Sequence, residues 1–192
     1  MIKAIIFDCF GVLYKDAGQI FYKNNISNLD QISDKLQIID DQFDIGDIDV
    51  ATHAKKVAEL TGLEADFIQQ NIRSAKDRND ELVDTLKNLA KDYKIGMLSN
   101  IGHGGMEAFF DQAERERLFD AVVLSSEVAV IKPDAKIFEI MASQLGIEPS
   151  QCLMIDDRQP NCDGAKQAGM ETILHEQNAE TIRQIECLNK NA

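Results

Sequence analysis

The chain has 192 residues, 44% of them hydrophobic, and a formal net charge of −13. This length suits one domain or a core with a small insertion, and no apolar run approaches the length of a membrane span. The charge excludes nucleic acid and anionic membranes as partners, because both require a basic face. It does not exclude phosphate esters, since a lysine and a metal ion can make one site locally positive.

Two features predict a reducing, cytoplasmic location. The apolar run after Lys3 is too short for a signal peptide. The four cysteines lack metal-type spacing, and Cys9 and Cys152 lie in or beside strands predicted to be buried, which favours free thiols. The sequence does not indicate an oligomeric state.

The first predicted element is a strand from Ala4 to Phe7. Its continuous apolar run is typical of a parallel strand that is buried on both faces. The run ends at a carboxylate, Asp8, and the turn residue Gly11 follows. Open α/β sheets bind their ligands at the carboxyl ends of their strands, so Asp8 is a candidate site residue.

Residues 14–78 show helical patterns only. Apolar residues recur every three or four positions in three segments that begin near Leu29, Val50 and Leu63. The stretch has no strand pattern and is too long for a crossover connection. We therefore predict a small helical domain over 14–78, inserted into a core formed by residues 1–13 and 79–192.

From Asn79 onward, helical and strand patterns alternate. The predicted strands cover 93–100, 122–125, 152–157 and 172–174, and the predicted helices cover 79–90, 134–145, 164–168 and the tail after Gln177. Alternation of this kind predicts an α/β fold with a doubly wound parallel sheet between two helical layers.

Side chains that can act as nucleophiles, ligands or charge partners follow several of these strands. Besides Asp8, they are Ser99 with Asn100, Lys132 before a proline, and the acidic pair Asp156 and Asp157. Strand ends of a parallel sheet meet at one edge, so these side chains are expected to converge on one crevice.

In type, order and spacing these residues resemble the four motifs of the haloacid dehalogenase-like hydrolases, which are mostly magnesium-dependent phosphatases. The resemblance covers nearly the whole chain. The motifs are matched by residues 8–13, by Ser99 with Asn100, by Lys132, and by Asp156 and Asp157 followed by Asn161. The last motif is similar in form to that of small phosphatases acting on sugar phosphates.

The resemblance implies a hydrolase whose nucleophile is Asp8, which attacks phosphorus and forms an aspartyl-phosphate. It implies that Mg²⁺ is bound by Asp8, Asp157 and the backbone carbonyl of Phe10. Asp156 would then hold metal-bound waters together with Asn161.

The resemblance also implies how the substrate, a small phosphorylated metabolite, is held. The Ser99 hydroxyl and the Asn100 backbone N–H would bind phosphate oxygens, and Lys132 would neutralise both the phosphate and Asp8. The helical insertion would be the family's cap, which closes over the site and selects the substrate. The three histidines, His53, His103 and His175, are expected to be structural or exposed rather than catalytic.

Phe10 departs from the family pattern, because most family phosphatases carry an acid there. The leaving oxygen would then depart unprotonated, or take its proton from the cap or from water. The aromatic ring also suits a metal-independent 2-haloacid dehalogenase, since halide leaves without a proton, but two carboxylates facing Asp8 favour a cation. A third hypothesis is a binding protein that kept the fold and lost the reaction.

Overall fold

The computed structural model describes residues 1–72 and 77–190. Five strands form one sheet in the order β3-β2-β1-β4-β5, and all four neighbouring pairs are parallel. The strands are β1 (Ala4–Phe7), β2 (Lys94–Ser99), β3 (Ala121–Leu124), β4 (Cys152–Asp156) and β5 (Glu171–Leu174). The doubly wound parallel sheet predicted from the sequence is confirmed.

Ten α-helices are found in the described part of the chain. They are α1 (Ala17–Asn25), α2 (Leu29–Asp44), α3 (Val50–Thr61), α4 (Ala65–Ile72), α5 (Asp80–Leu89), α6 (Gln112–Leu118), α7 (Ser125–Val128), α8 (Ala135–Leu145), α9 (Gln159–Gln167) and α10 (Asn178–Lys190). No helix within residues 1–72 and 77–190 combines the length and apolar character that a membrane span requires.

The central strand β1 is fully buried on both faces, as its continuous apolar run predicts. Ile5 and Phe7 pack in a cluster with apolar residues of α5, α6 and α10. Ala4 and Ile6 pack on the other face with residues of α8 and α9. Helices therefore cover both faces of the sheet and leave its carboxyl edge for the site.

The four helices α1–α4 have a hydrophobic cluster of their own. Its buried members include Phe21, Leu36, Val57 and Ile68, one from each helix. The two segments that join these helices to the sheet run side by side, because Lys15 N–H donates to the Asp77 carbonyl over 2.9 Å. This packing supports a separate helical unit, and the exact division at 14–78 stays a prediction.

Several sequence-based boundaries differ from the structure. Helices α1 and α6 lie where no helix was predicted, and Ser125 begins α7 instead of ending a strand. Helix α9 begins at Gln159, five residues before the predicted start at Gly164, because Pro160 in its first turn is compatible with a helix start. The predicted caps Asn79 and Gly146 do flank α5 and α8.

Candidate active site

The carboxyl edge of the sheet brings the predicted residues together. Asp8 directly follows β1, and its N–H donates to the Ile155 carbonyl of β4 over 2.9 Å. Ser99 ends β2 and Asp156 ends β4, the two strands that flank β1. Lys132 comes from the loop between α7 and α8. The convergence predicted from the spacing of the motifs is therefore found.

A buried lysine joins two of the carboxylates. Lys132 Nζ lies 2.8 Å from Asp8 Oδ2 and 2.7 Å from Asp156 Oδ2, and the three side chains are 1%, 7% and 0% exposed. Although burial disfavours the charged amine, the two carboxylates raise the pKa of Lys132 above its usual value. Lys132 is therefore a fixed cation beside Asp8, and not a solvated surface lysine.

Asp156 is the most fully bonded of the acids. Its Oδ1 accepts from the Arg158 N–H and from Asn161 Nδ2, both over 2.9 Å. Burial alone would raise the pKa of Asp156, but Lys132 and these donors lower it overall. The sequence suggested a role for Asp156 near metal-bound water; the pairing of Asp156 with Lys132 was not predicted.

Asn100 positions the backbone of Lys132. Its Oδ1 accepts from the Lys132 N–H over 2.9 Å, and its Nδ2 donates to the Lys132 carbonyl over 3.1 Å. Ser99 beside it is fully buried. The sequence suggested only the backbone of Asn100 as a ligand, and its side chain has this second role, which no motif spacing reveals.

Asp157 is bonded less fully than Asp8 and Asp156. Its Oδ1 is buried and has no hydrogen-bond partner in the part of the chain that the structure describes. Gly11 has a φ of +88°, and a Cβ there would overlap the Asp157 carboxylate, so the glycine is required for this close approach. Burial, reinforced by Asp156 and Asp16, raises the pKa of Asp157 to about 6.

Together these acids fit a divalent cation. Oxygen atoms of Asp8, Asp156 and Asp157 lie within 4.8 Å of one another. Burial raises the pKa of Asp8 well above its usual value; Lys132 opposes this, and Asp156 and Asp157 add to it. Lys132 faces three carboxylates, and the buried Asp157 Oδ1, which has no partner among the described residues, could serve as a ligand for a second cation.

A cavity of about 200 Å³ opens above this cluster, between the sheet edge and helices α1–α4. We call the residues that the sheet edge contributes the sheet side: Asp8, Asn100, Lys132 and Asn161, together with Asp156, which pairs with Lys132 behind the cavity wall. We call those from α1–α4 and the loop before α1 the helix side: Asp16, Tyr22, Asp40, Asp44, His53 and Gln69. The cavity is thus bounded by acids on both sides.

Phe10 lines the same cavity. Its ring meets the ring of Phe109 edge-on, with centroids 4.8 Å apart. The position that most family members fill with an acid is therefore part of an aromatic contact. The role of the Phe10 carbonyl as a metal ligand stays a prediction.

His53 belongs to a buried polar group on the helix side. Its Nε2 lies 2.7 Å from Asp40 Oδ1, which also accepts from the Tyr22 hydroxyl over 2.8 Å. The expectation that His53 has a structural role is consistent with this contact. One sign of it is present in the sequence: Asp40 follows the buried Leu36 of α2 by four residues, and His53 precedes the buried Val57 of α3 by four residues.

Comparisons with known proteins identify the family of the chain. The model of the haloacid dehalogenase-like hydrolases matches residues 2–169. A D-ribitol-5-phosphate phosphatase of Bacteroides thetaiotaomicron is 26% identical over 195 residues, covering 94% of this chain and 95% of that protein. YhcW of Bacillus subtilis, a candidate phosphatase by name, is 28% identical over 118 residues, covering 60% of this chain and 53% of YhcW. The chain spans about half or less of the length of the first curated relatives it matches.

A solved structure has a similar fold. It is a HAD family enzyme of Bacteroides thetaiotaomicron in complex with magnesium and inorganic phosphate. The TM-score is 0.71 at 24% identity, and the superposition covers 93% of this chain and 96% of the other. At this identity the likeness establishes the fold alone.

Proposed function

The chain belongs to the haloacid dehalogenase-like hydrolases, and from this premise we propose that it is a magnesium-dependent phosphatase acting on a small phosphorylated metabolite. The observation that carries the proposal is the cluster of Asp8, Asp156 and Asp157, in which Lys132 pairs with the first two and one buried oxygen of Asp157 has no partner among the described residues. The D-ribitol-5-phosphate phosphatase among its relatives supports a sugar or polyol phosphate as the substrate class.

In this proposal Asp8 is the nucleophile. Its Oδ2 pairs with Lys132 and its Oδ1 accepts from the Cys9 N–H over 2.6 Å, so the carboxylate is held in one orientation. An oxygen of this carboxylate would attack phosphorus in line with the leaving group. The attack gives an aspartyl-phosphate, which water then hydrolyses. Lys132 remains protonated and offsets the charge of the carboxylate and of the incoming phosphate.

Mg²⁺ would be held by Asp8, Asp157 and the Phe10 carbonyl. When bound, it supplies positive charge to the phosphate oxygens. Asp156 keeps Lys132 in place, and the Asn100 side chain fixes the Lys132 backbone. The Ser99 hydroxyl and the Asn100 N–H are the proposed phosphate ligands on the strand that neighbours Asp8.

Residues 14–78 would act as the cap over this site. The helices α1–α4 have their own hydrophobic cluster, and Arg158 Nη2 donates to Gln37 Oε1 of α2 over 3.1 Å, which joins the helix side to the loop after β4. A cytoplasmic location, which the cysteines Cys9 and Cys152 in or beside predicted buried strands led us to expect, stays a prediction; both are free and buried in the structure.

The experiment is phosphate release across a panel of sugar, polyol and other metabolite phosphates, with Mg²⁺ and with a chelator. We expect release that needs Mg²⁺ and is lost in Asp8→Asn. Incubation with 2-chloropropionate tests the dehalogenase alternative. Halide release in the absence of metal, together with no phosphate release in the presence of Mg²⁺, would overturn the phosphatase proposal in favour of the dehalogenase.

A further inference from the structure

The proposed reaction lacks a proton donor at the position that most family members use. The Phe10 ring has no proton to give, yet general acid catalysis of the departing oxygen contributes about 10²–10⁴-fold. Four acids line the cavity in the described part of the chain: Asp8, Asp16, Asp40 and Asp44. Asp8 is the nucleophile, and the Tyr22 hydroxyl and His53 Nε2, which also line the cavity, are bonded to Asp40. We therefore seek the donor among the other three acids.

Two of these three acids are already bonded. The Asp16 carboxylate caps α1 by accepting from the Gln19 N–H over 2.9 Å. Asp40 accepts from Tyr22 and His53. The Asp44 carboxylate has no hydrogen-bond donor among the described residues, so its proton or its lone pairs are available to a molecule in the cavity.

The end of α2 is fixed against the sheet edge. Asp44 is its last residue, and the Asp44 carbonyl accepts from the buried Ser125 hydroxyl over 2.5 Å. The same Ser125 oxygen accepts from the Ile101 N–H over 2.9 Å, directly after the proposed phosphate ligands. Phe43 packs so closely on Gly102 that a Cβ there would overlap its ring. Asp44 therefore has a defined position beside the phosphate-binding edge.

The surroundings of Asp44 favour its protonated form. Burial raises the pKa of Asp44 to about 8, acids around it reinforce this, and Lys132 opposes it. The charged and titratable groups on the elements around it are Asp40 and Asp41 of α2, Asp16 and Tyr22 at α1, His53 and Lys56 of α3, Glu127 of α7, His103 and Lys132. Near neutral pH most of the carboxyl groups at this position hold a proton.

We propose that Asp44 is the general acid and base of this enzyme, a role that rests on the proposed phosphatase function. In the first step an Asp8 oxygen bonds to phosphorus, the bond from phosphorus to the leaving oxygen breaks, and the Asp44 proton moves to that oxygen, so a neutral alcohol leaves. In the second step water attacks phosphorus, the bond between phosphorus and Asp8 breaks, and the water's proton returns to Asp44. Inorganic phosphate leaves and both acids regain their starting state.

The test compares leaving groups of different acidity. Wild type, Asp44→Asn and Asp44→Glu are assayed with 4-nitrophenyl phosphate and with ethyl phosphate, together with any alkyl phosphate found in the metabolite panel. We expect Asp44→Asn to lose about 10²–10⁴-fold in kcat/KM on the alkyl esters and less than about tenfold on the aryl ester. Asp44→Glu should recover part of the alkyl activity. Asp47→Asn removes the same charge at an exposed position and should leave both activities unchanged.

Two further readouts separate catalysis from structure. The alkyl activity of the wild type should fall as pH rises through about 8, where Asp44 loses its proton, and Asp44→Asn should lack this alkaline limb. Adding Phe10→Asp to Asp44→Asn should restore alkyl hydrolysis by placing an acid at the family's usual position. If the wild type is active and Asp44→Asn loses activity equally on both kinds of ester, or on neither, the role of Asp44 is overturned. A wild type that releases no phosphate from any ester overturns the phosphatase proposal as well.

Discussion

The pKa of an aspartate on the sheet side of the cavity and that of an aspartate on the helix side are shifted in opposite directions. On the sheet side, Asp156 pairs with Lys132 and accepts two further hydrogen bonds, so its pKa falls although burial alone would raise it. On the helix side, Asp44 has acids as neighbours and no donor among the described residues, and its pKa rises to about 8. One environment keeps a carboxylate charged, and the other keeps a carboxyl group protonated.

This difference matches the two roles that the proposed reaction requires of its acids. A phosphoryl transfer needs an ionised nucleophile and a protonated donor at the same pH, and the environments of two acids can supply both. The sheet side has the lysine, the backbone donors at strand ends and the proposed metal ligands. The helix side has crowded acids and apolar neighbours. Four predictions test this contrast, from the largest expected effect to the smallest.

Asp8→Asn tests the charged side directly. The amide is nearly isosteric with the carboxylate but is a poor nucleophile, so turnover should fall by about 10⁴-fold or more. Circular dichroism should show an unchanged fold. Phosphate release by a folded Asp8→Asn protein at more than a few per cent of the wild-type rate would show that Asp8 is not the nucleophile.

Lys132→Met tests the cation on which the sheet side depends. It leaves Asp8 and Asp156 buried without their partner, and breaking such a pair costs about 3–5 kcal/mol in the free energy of unfolding. Urea unfolding measures the loss. The matched control is Lys136→Met, which removes an exposed pair with Glu139 and should cost no more than about 1 kcal/mol. Equal losses in the two variants would contradict the buried triad.

Asp157→Ala tests the metal ligand. Because the buried Asp157 Oδ1 has no partner among residues 1–72 and 77–190, removing it should not lower stability in a chelator. The substitution should abolish the Mg²⁺ binding that calorimetry measures. The wild type should gain about 2.7 kcal/mol of stability at a Mg²⁺ concentration 100 times Kd, and the variant should gain none. Asp163→Ala, an acid on α9 with an exposed side chain, is the control. Mg²⁺ binding retained by Asp157→Ala would place the metal elsewhere.

Asp44→Asn tests the protonated side through stability. The pKa of Asp44 is about 8 in the folded protein and about 3.9 in an unfolded chain, so the folded state holds an extra proton between these values. The contribution of Asp44 to stability is therefore present near pH 4 and is lost as pH rises to 8. Asparagine has no such dependence, so Asp44→Asn should be more stable than wild type at pH 8 by about 1–3 kcal/mol. Unfolding curves at pH 5 and pH 8 measure the difference, and a constant difference would contradict the raised pKa.

The sheet was largely predictable because its signal is local. A buried parallel strand is a continuous apolar run, so β1, β2 and β4 were predicted with their ends within one residue of those found. Helix α1 was missed because it is short and only Ala17, Phe21 and Tyr22 of its nine residues are buried. Helix α6 was missed because four of its seven residues are charged.

The site was predictable where residues follow strands, and not where it depends on the folded contacts. Asp8, Ser99 and Asp157 lie at strand ends, which is a sequence pattern with a known spatial meaning. The pairing of Asp156 with Lys132, and the placement of Asp44 at the end of α2, depend on how distant segments pack. Neither carries a sign in the neighbouring sequence.

The position of β1 at the centre of the sheet also has a consequence for how the chain folds. β1 precedes the other four strands of the sheet in the chain, but its neighbours begin only at Lys94 and at Cys152. Until most of the chain has left the ribosome, the apolar segment Ala4–Phe7 has no sheet to join. Pairings this distant in sequence form slowly, and an unpaired apolar strand is prone to aggregate. Helices α1–α4, with a hydrophobic cluster of their own, can gather first, so the helical insertion should fold before the sheet that surrounds its two ends.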